Sequence, residues 1–190
     1  MMLRKGVRLA KRGDFNGAVE TLEKDETPGG KRMYWLGSSL VMLGRYEEGI
    51  ARLDQALTML KSDGAAKEKI LRRDALYALG YAHNALRKWN LARTVLTEAV
   101  ALTPASDALE HAKGLNHLAA ATLHCSDTSA AAVLIAESLT LLSSKNIDAK
   151  SQSASIKARA LLQRRFEPKD QLKSRKSGVV LAVAQARKGM

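Results

Sequence analysis

Proline is scarce: only Pro28, Pro104 and Pro168 interrupt 190 residues, which leaves long stretches without the ring that breaks helices. Cysteine is scarcer still. The lone Cys125 cannot close an internal disulfide, which excludes a disulfide-stapled secreted scaffold and fits a reducing compartment. With no activating pattern around it beyond His124, it reads as a buried structural thiol. Long apolar runs are missing as well. The nearest, Val179 to Ala184, is far short of the ~20 residues a membrane helix needs. The basic amino end is not followed by the apolar core of a secretory leader; its Arg-rich, acid-poor start does have the look of a mitochondrial presequence. Residues 3–12 nevertheless supply helix-packing positions, so the amino end is expected to be retained as structure.

Signatures of catalysis are equally sparse. His83, His111, His117 and His124 lack the i, i+4 pairing of helical zinc sites and have no cysteine pair to join them. They read as core or groove side chains. The "GGK" at 29–31 lacks the rest of a phosphate-binding loop, and no GxSxG nucleophile elbow occurs. The expectation is a protein with no catalytic residue, no metal site and no cofactor.

What is abundant is alanine and leucine, the residues that cost least in a helix, so the chain is expected to be one all-α domain. The net charge of +12 is carried by the ends. Residues 1–14 hold five Lys/Arg against one Asp, and residues 145–190 hold twelve against three, whereas the stretch between is close to neutral. Basic ends draw RNA, acidic protein surfaces or anionic lipid; the alternative is a solvated tail that keeps the protein dispersed.

Self-similarity organises the rest. From Gly80 the chain reads Trp89, Ala92, Leu96, Ala99; from Gly37 it reads Leu40, Gly44, Tyr46, Gly49, Leu53, Ala56; from Gly6 it reads Leu9, Gly13, Phe15, Ala18, Leu22. Small residues at Gly37, Gly80, Ala18, Gly49 and Ala92 allow two helices to approach closely, with an aromatic beside each turn. The breaks "KRGDF", "LGRYE" and "LRKWN" are short enough to force antiparallel neighbours. A worn fourth copy keeps Leu118, Ala119, Thr122, Ala131, Ile135 and Ser138 but turns through Ser126-Asp127-Thr128, where either Ser126 or Asp127 serves as cap.

This grammar resembles the tetratricopeptide repeat, whose period is about 34 residues. The resemblance implies an α-α superhelix with units at about 2–27, 30–60, 73–104 and 112–143. Insertions fall at "KSDGAAKEK" and "TPASDALEH", which either lengthen helices or form loops. A capping helix over 153–166 completes a domain at 1–166. Residues 167–190 then form a basic tail with Lys169, Lys173, Arg175, Lys176, Arg187 and Lys188 around a short apolar segment, read either as helix or as strand.

The resemblance also implies a function: a non-catalytic adaptor, subunit or assembly factor that holds a protein segment, peptide or helix, in a concave groove lined by the first helix of each pair. The residues it places there are Lys31, Tyr34, Ser38 and Val41, then Asp74, Tyr77, Tyr81 and Asn84, then Lys113 and Asn116. Tyr34 and Tyr77 share a template position, where they either contact a ligand or fill the gap between helices. The positions of a carboxylate clamp for acidic chaperone tails hold Leu3, Val7, Trp35, Asp74 and Ala78, so that specialisation is not implied. The alternative function is an RNA- or ribosome-associated factor that uses its basic ends on phosphates. The expected location is cytoplasmic, with mitochondrial as the alternative.

Overall fold

The computed structural model describes residues 1–61, 64–104 and 106–144, and these form α-helices without a strand among them. The elements are α1 (Met2–Lys11), α2 (Phe15–Glu23), α3 (Gly30–Met42), α4 (Tyr46–Met59), α5 (Ala66–Ala85), α6 (Trp89–Ala101), α7 (Ala108–His124) and α8 (Thr128–Ser144). Consecutive helices pair antiparallel, giving four A–B units. The expected capping helix at 153–166 and the tail residues Lys169, Lys173, Arg175, Lys176, Arg187 and Lys188 lie outside the described residues.

One hydrogen-bond pattern makes all four A-to-B turns. Each A helix ends in a residue of left-handed backbone: Gly13 (φ 82°), Gly44 (φ 79°), Arg87 (φ 57°) and Ser126 (φ 67°). The next N–H then reaches back five residues: Asp14 to Leu9 at 3.1 Å, Arg45 to Leu40 at 2.9 Å, Lys88 to His83 at 2.8 Å and Asp127 to Thr122 at 3.2 Å. This is the Schellman closure, which satisfies carbonyls left open at a helix end. Asp14 and Asp127 go on to cap the following helix, accepting from the N–H groups of Gly17 (2.9 Å) and Ala130 (3.0 Å). Asp127 therefore fills the capping role that the sequence left open between it and Ser126.

Within each unit the helices meet at small residues. A Cβ on Gly37 would lie 2.9 Å from the Gly49 carbonyl oxygen, and one on Gly49 would lie 3.0 Å from that of Gly37. These neighbours are backbone and cannot swing aside. At Gly6 and Gly80 the space is taken instead by Leu22 and Leu96. Ala18, Ala92 and Ala131, the counterparts of Gly49, are fully buried.

The core is a chain of overlapping clusters, as a stack of repeats requires. Val19 and Leu22 of α2 pack with Leu36 and Leu40 of α3; Val41, Leu53, Ala75, Leu79 and Ala82 join α3, α4 and α5; Ala92 and Leu96 meet Leu118 and Ala121; and Ala119, Ala131 and Ile135 close the fourth unit. A helices also touch the next A helix, α1 with α3, α3 with α5 and α5 with α7, whereas B helices touch only A helices. The A helices are thus the crowded inner side of a curved stack.

The third and fourth A helices begin ahead of residues 73 and 112. Ala66, Lys67, Glu68 and Lys69 are good helix formers, and Glu68 in the first turn complements the helix dipole, so these last residues of the first insertion wind onto α5. Part of the second joins α7, where Asp107 stands at the N-cap and Glu110 in the first turn. Cys125 departs from its expected burial: it is half-buried at a turn, where its thiol donates to Asn90 Oδ1 at 3.1 Å.

Two outcomes follow for urea unfolding. Gly37→Val forces the α3–α4 backbones apart and lowers stability by about 2–3 kcal/mol. Arg87→Gly and Ser126→Gly each relieve a left-handed side chain and raise stability by about 0.5–1 kcal/mol, after the added flexibility of the unfolded chain is deducted.

Candidate functional site

Three A helices converge on a recess of about 220 Å³ on the inner side of the stack. α3 contributes Ser38, Val41 and Met42, α5 contributes Tyr77, Ala78 and Tyr81, and α7 contributes Glu110, Lys113, Gly114 and His117. Of the residues expected in a groove, Ser38, Val41, Tyr77, Tyr81 and Lys113 line it. They differ in what they offer. Val41 is a core residue at 3% exposure, whereas Tyr81 at 42% and Met42 at 57% present apolar surface to solvent.

Tyr77 is locked in place. Its hydroxyl lies 2.6 Å from the Thr103 hydroxyl, and Thr103 donates its own proton to the Ala99 carbonyl at 2.8 Å, so Tyr77 is the donor of the pair. Burial pushes the Tyr77 phenol above its ordinary range, so the hydroxyl keeps its proton at neutral pH. Its ring lies over Gly114, where a Cβ would meet Cε1 at 2.5 Å. Tyr77 therefore spans α5, the end of α6 and α7.

Tyr81 is held edge-on between Tyr46, 6.5 Å away between ring centroids, and His117, 5.7 Å away. On the rim, Lys113 and Glu110 form an exposed ion pair at 2.6 Å, worth under about 1 kcal/mol.

The other expected residues sit elsewhere. Lys31 is exposed in the first turn of α3, and Asn116 is half-buried on α7. Tyr34 packs edge-on against Trp35 at 5.1 Å, and burial together with nearby Asp74 drives its phenol well above the usual range. Asp74 pairs with Arg73 at 2.8 Å, and Arg73 reaches Asp107 at 3.0 Å, tying α5 to the start of α7. Burial raises the Asp74 carboxyl, and the Arg73 contacts only partly offset this. Asn84 donates to the His117 carbonyl at 3.1 Å, another α5–α7 link.

Met42, Ala78, Glu110 and Gly114 line the recess without having been placed in a groove from the sequence, and His117, read only as core or groove, lines it too. Glu110 and His117 lie three and four residues from Lys113, one turn to either side of it, so extending the same helical face would have found both.

The histidines divide by place. His83 is buried with an unpartnered Nδ1 among the described residues. His117 faces the recess, and His124 stacks on Trp89 at the edge, which is neither core nor groove. No cluster of metal-ligating residues occurs among the described residues, and no described helix is long and apolar enough to cross a membrane. The four cations of α1, Arg4, Lys5, Arg8 and Lys11, and Arg12 at its end are all exposed, with Lys11 lying 5.8 Å from the Trp35 ring centroid.

The family model for the tetratricopeptide repeat matches residues 74–106, the segment that holds most of α5 and all of α6. Among curated proteins none matches the sequence. Among solved structures, a MamA fragment from Desulfovibrio magneticus RS-1 is 19% identical, with a TM-score of 0.59 over 88% of this chain and 96% of its own. A second, MamA MSR-1 C2, is 18% identical, with a TM-score of 0.63 over 92% and 96%. The hetero-tetramer Cut9–Hcn1 of the APC/C is 18% identical, with a TM-score of 0.68 over 83% of this chain and 29% of that one. At these identities the likeness is one of fold.

His83 and His117 make stability depend on pH. Burial depresses both, aided by Lys88 at His83, where Asp54 opposes, and by Lys113 at His117. A histidine depressed on folding takes up its proton more readily when unfolded. Their contribution is therefore present above the ordinary value near 6.5 and is lost as pH falls through it toward the folded values. The urea midpoint is expected to be level between pH 8 and 7 and to drop from 6.5 to 5, with a smaller drop in His83→Gln.

Proposed function

From its standing as a helical-repeat protein of the tetratricopeptide kind, we propose that this chain is a non-catalytic adaptor that holds a protein segment against the A helices. The observation that carries the reading is the exposed pair Met42 and Tyr81 at the mouth of a recess built by three helices. Aromatic and methionine side chains in a concave surface supply contact area at small entropic cost. Tyr81, braced by Tyr46 and His117, loses little freedom on binding.

The bound segment is one that places an apolar side chain between Tyr81 and Met42 and a polar group at the Lys113–Glu110 rim. Such a site gives a scaffold its specificity through one anchored side chain, with the neighbouring contacts excluding water. The exposed α1 face and the basic residues of 167–190 then engage a larger assembly, and this is how the chain acts as a subunit or assembly factor.

Because Tyr77 is a structural strut, its replacement tests folding more than binding. The informative variant is Met42→Ser with Tyr81→Ser, which alters exposed side chains only. In affinity purification with mass spectrometry this variant is expected to lose a specific partner that the parent chain and a chain lacking 167–190 both retain. Retention of every partner by the variant contradicts the groove reading.

A further inference from the structure

A second recess, of about 550 Å³, lies where the A-to-B turns of the third and fourth units meet. Its volume is within the range of small-ligand clefts. Arg87, Lys88 and Arg93 line it, and no Asp or Glu does. All three cations are exposed, and none is ion-paired among the described residues. Beside them the rings of Trp89 and His124 stack at 3.9 Å and 10°, joining α6 to the end of α7. Asn90 and Ser126 add polar groups to the lining, with Asn90 held by the Cys125 thiol.

Arg87 and Ser126 are also the two turn positions where a side chain occupies the left-handed backbone that glycine takes at Gly13 and Gly44, and both line this recess. Left-handed backbone costs a side chain roughly 1–2 kcal/mol relative to its preferred conformations. At the equivalent points of the first two units the cost is avoided; here it is borne next to a cleft.

We propose that this edge recess binds single-stranded nucleic acid, with Arg87, Lys88 and Arg93 on successive phosphates and a base packed beside the Trp89–His124 stack. A cationic groove with aromatic rings is the recurring solution for a strand whose bases are unpaired. A lone phosphate or a phosphoserine peptide uses the cations but brings no planar group of its own to place against the rings. The whole chain, at +12, draws a polyanion to the protein from a distance, and the three exposed cations act once it is near. This site is separate from the concave recess and does not depend on its role.

The test is fluorescence anisotropy with the full chain and labelled twelve-residue oligouridylate or oligothymidylate, across 50–200 mM salt. Three phosphate contacts on a single strand contribute about 2 to the log–log salt slope, equal to roughly twentyfold in affinity over that range. The variant Arg87→Gly/Lys88→Ala/Arg93→Ala is expected to reduce the slope by about 2. Its Arg87→Gly component favours the turn, so loss of fold does not account for the result, as circular dichroism would record. Trp89→Leu is expected to weaken binding at least fivefold with the slope unchanged, because it removes stacking and not charge.

Tighter binding of the uridylate strand assigns the site to RNA, and equal binding assigns it to either strand. The proposal is overturned if neither strand binds, or if the triple variant keeps its slope. It is equally overturned if Lys5→Ala/Arg8→Ala/Arg12→Ala or Lys169→Ala/Lys173→Ala/Lys176→Ala accounts for the whole of it, which would put the strand on the basic ends. Displacement of the strand by an equimolar phosphoserine peptide also overturns it, in favour of a phosphopeptide site.

Discussion

At Gly37 and Gly49 two helix backbones come so close that neither residue has room for a single methyl group. The antiparallel pairing of α3 with α4, the burial of Leu53 and the register of the next unit all depend on that separation. Other units reach a similar spacing by a softer route, a glycine against a leucine at Gly6–Leu22 and Gly80–Leu96. In a repeat stack each unit is the template for the next, so a spacing fixed in the second unit carries into the third through Val41, Ala75 and Leu79.

Close A–B pairs have a consequence for the inner side. With A helices touching their like neighbours, side chains at the end of α3, the middle of α5 and the middle of α7 come within reach of one ligand. Tyr77 shows how little of that surface is spare. It is oriented by Thr103, supported by Gly114 and committed to holding α5, α6 and α7 together. Tyr81 and Met42 keep their exposure because the packing is done by others.

Much of the fold was legible because its determinants are local. Small residues at helical spacing, short polar breaks and the glycines Gly13 and Gly44 state the pairs and their turns outright. The fourth turn was readable only in part: Ser126 and Asp127 both offered a cap, but nothing in Ser126 announces left-handed backbone, which is imposed by the closure around it. The sequence left the insertions open between longer helices and loops because a repeat template marks where packing begins, whereas Ala66–Lys69 lengthen α5 by propensity before it packs. Site residues were the least legible. Tyr34 and Tyr77 share a template position, yet one packs on the adjacent Trp35 and the other is drawn to Thr103, 26 residues away, a partner no repeat template marks. The edge recess was invisible for the same reason, since it joins turns that the sequence places far apart.

The central claim, that contact between the Gly37 and Gly49 backbones sets the spacing on which the stack is built, has a direct test in a double-mutant cycle. Gly37→Ala, Gly49→Ala and the combined variant would be compared by urea unfolding. If both alanines push apart the same two backbones, the second costs much less once the first is present, and the coupling is predicted to be about 1 kcal/mol or more. Costs that add to within about 0.5 kcal/mol would mean the two sites do not share one contact, and would contradict the account.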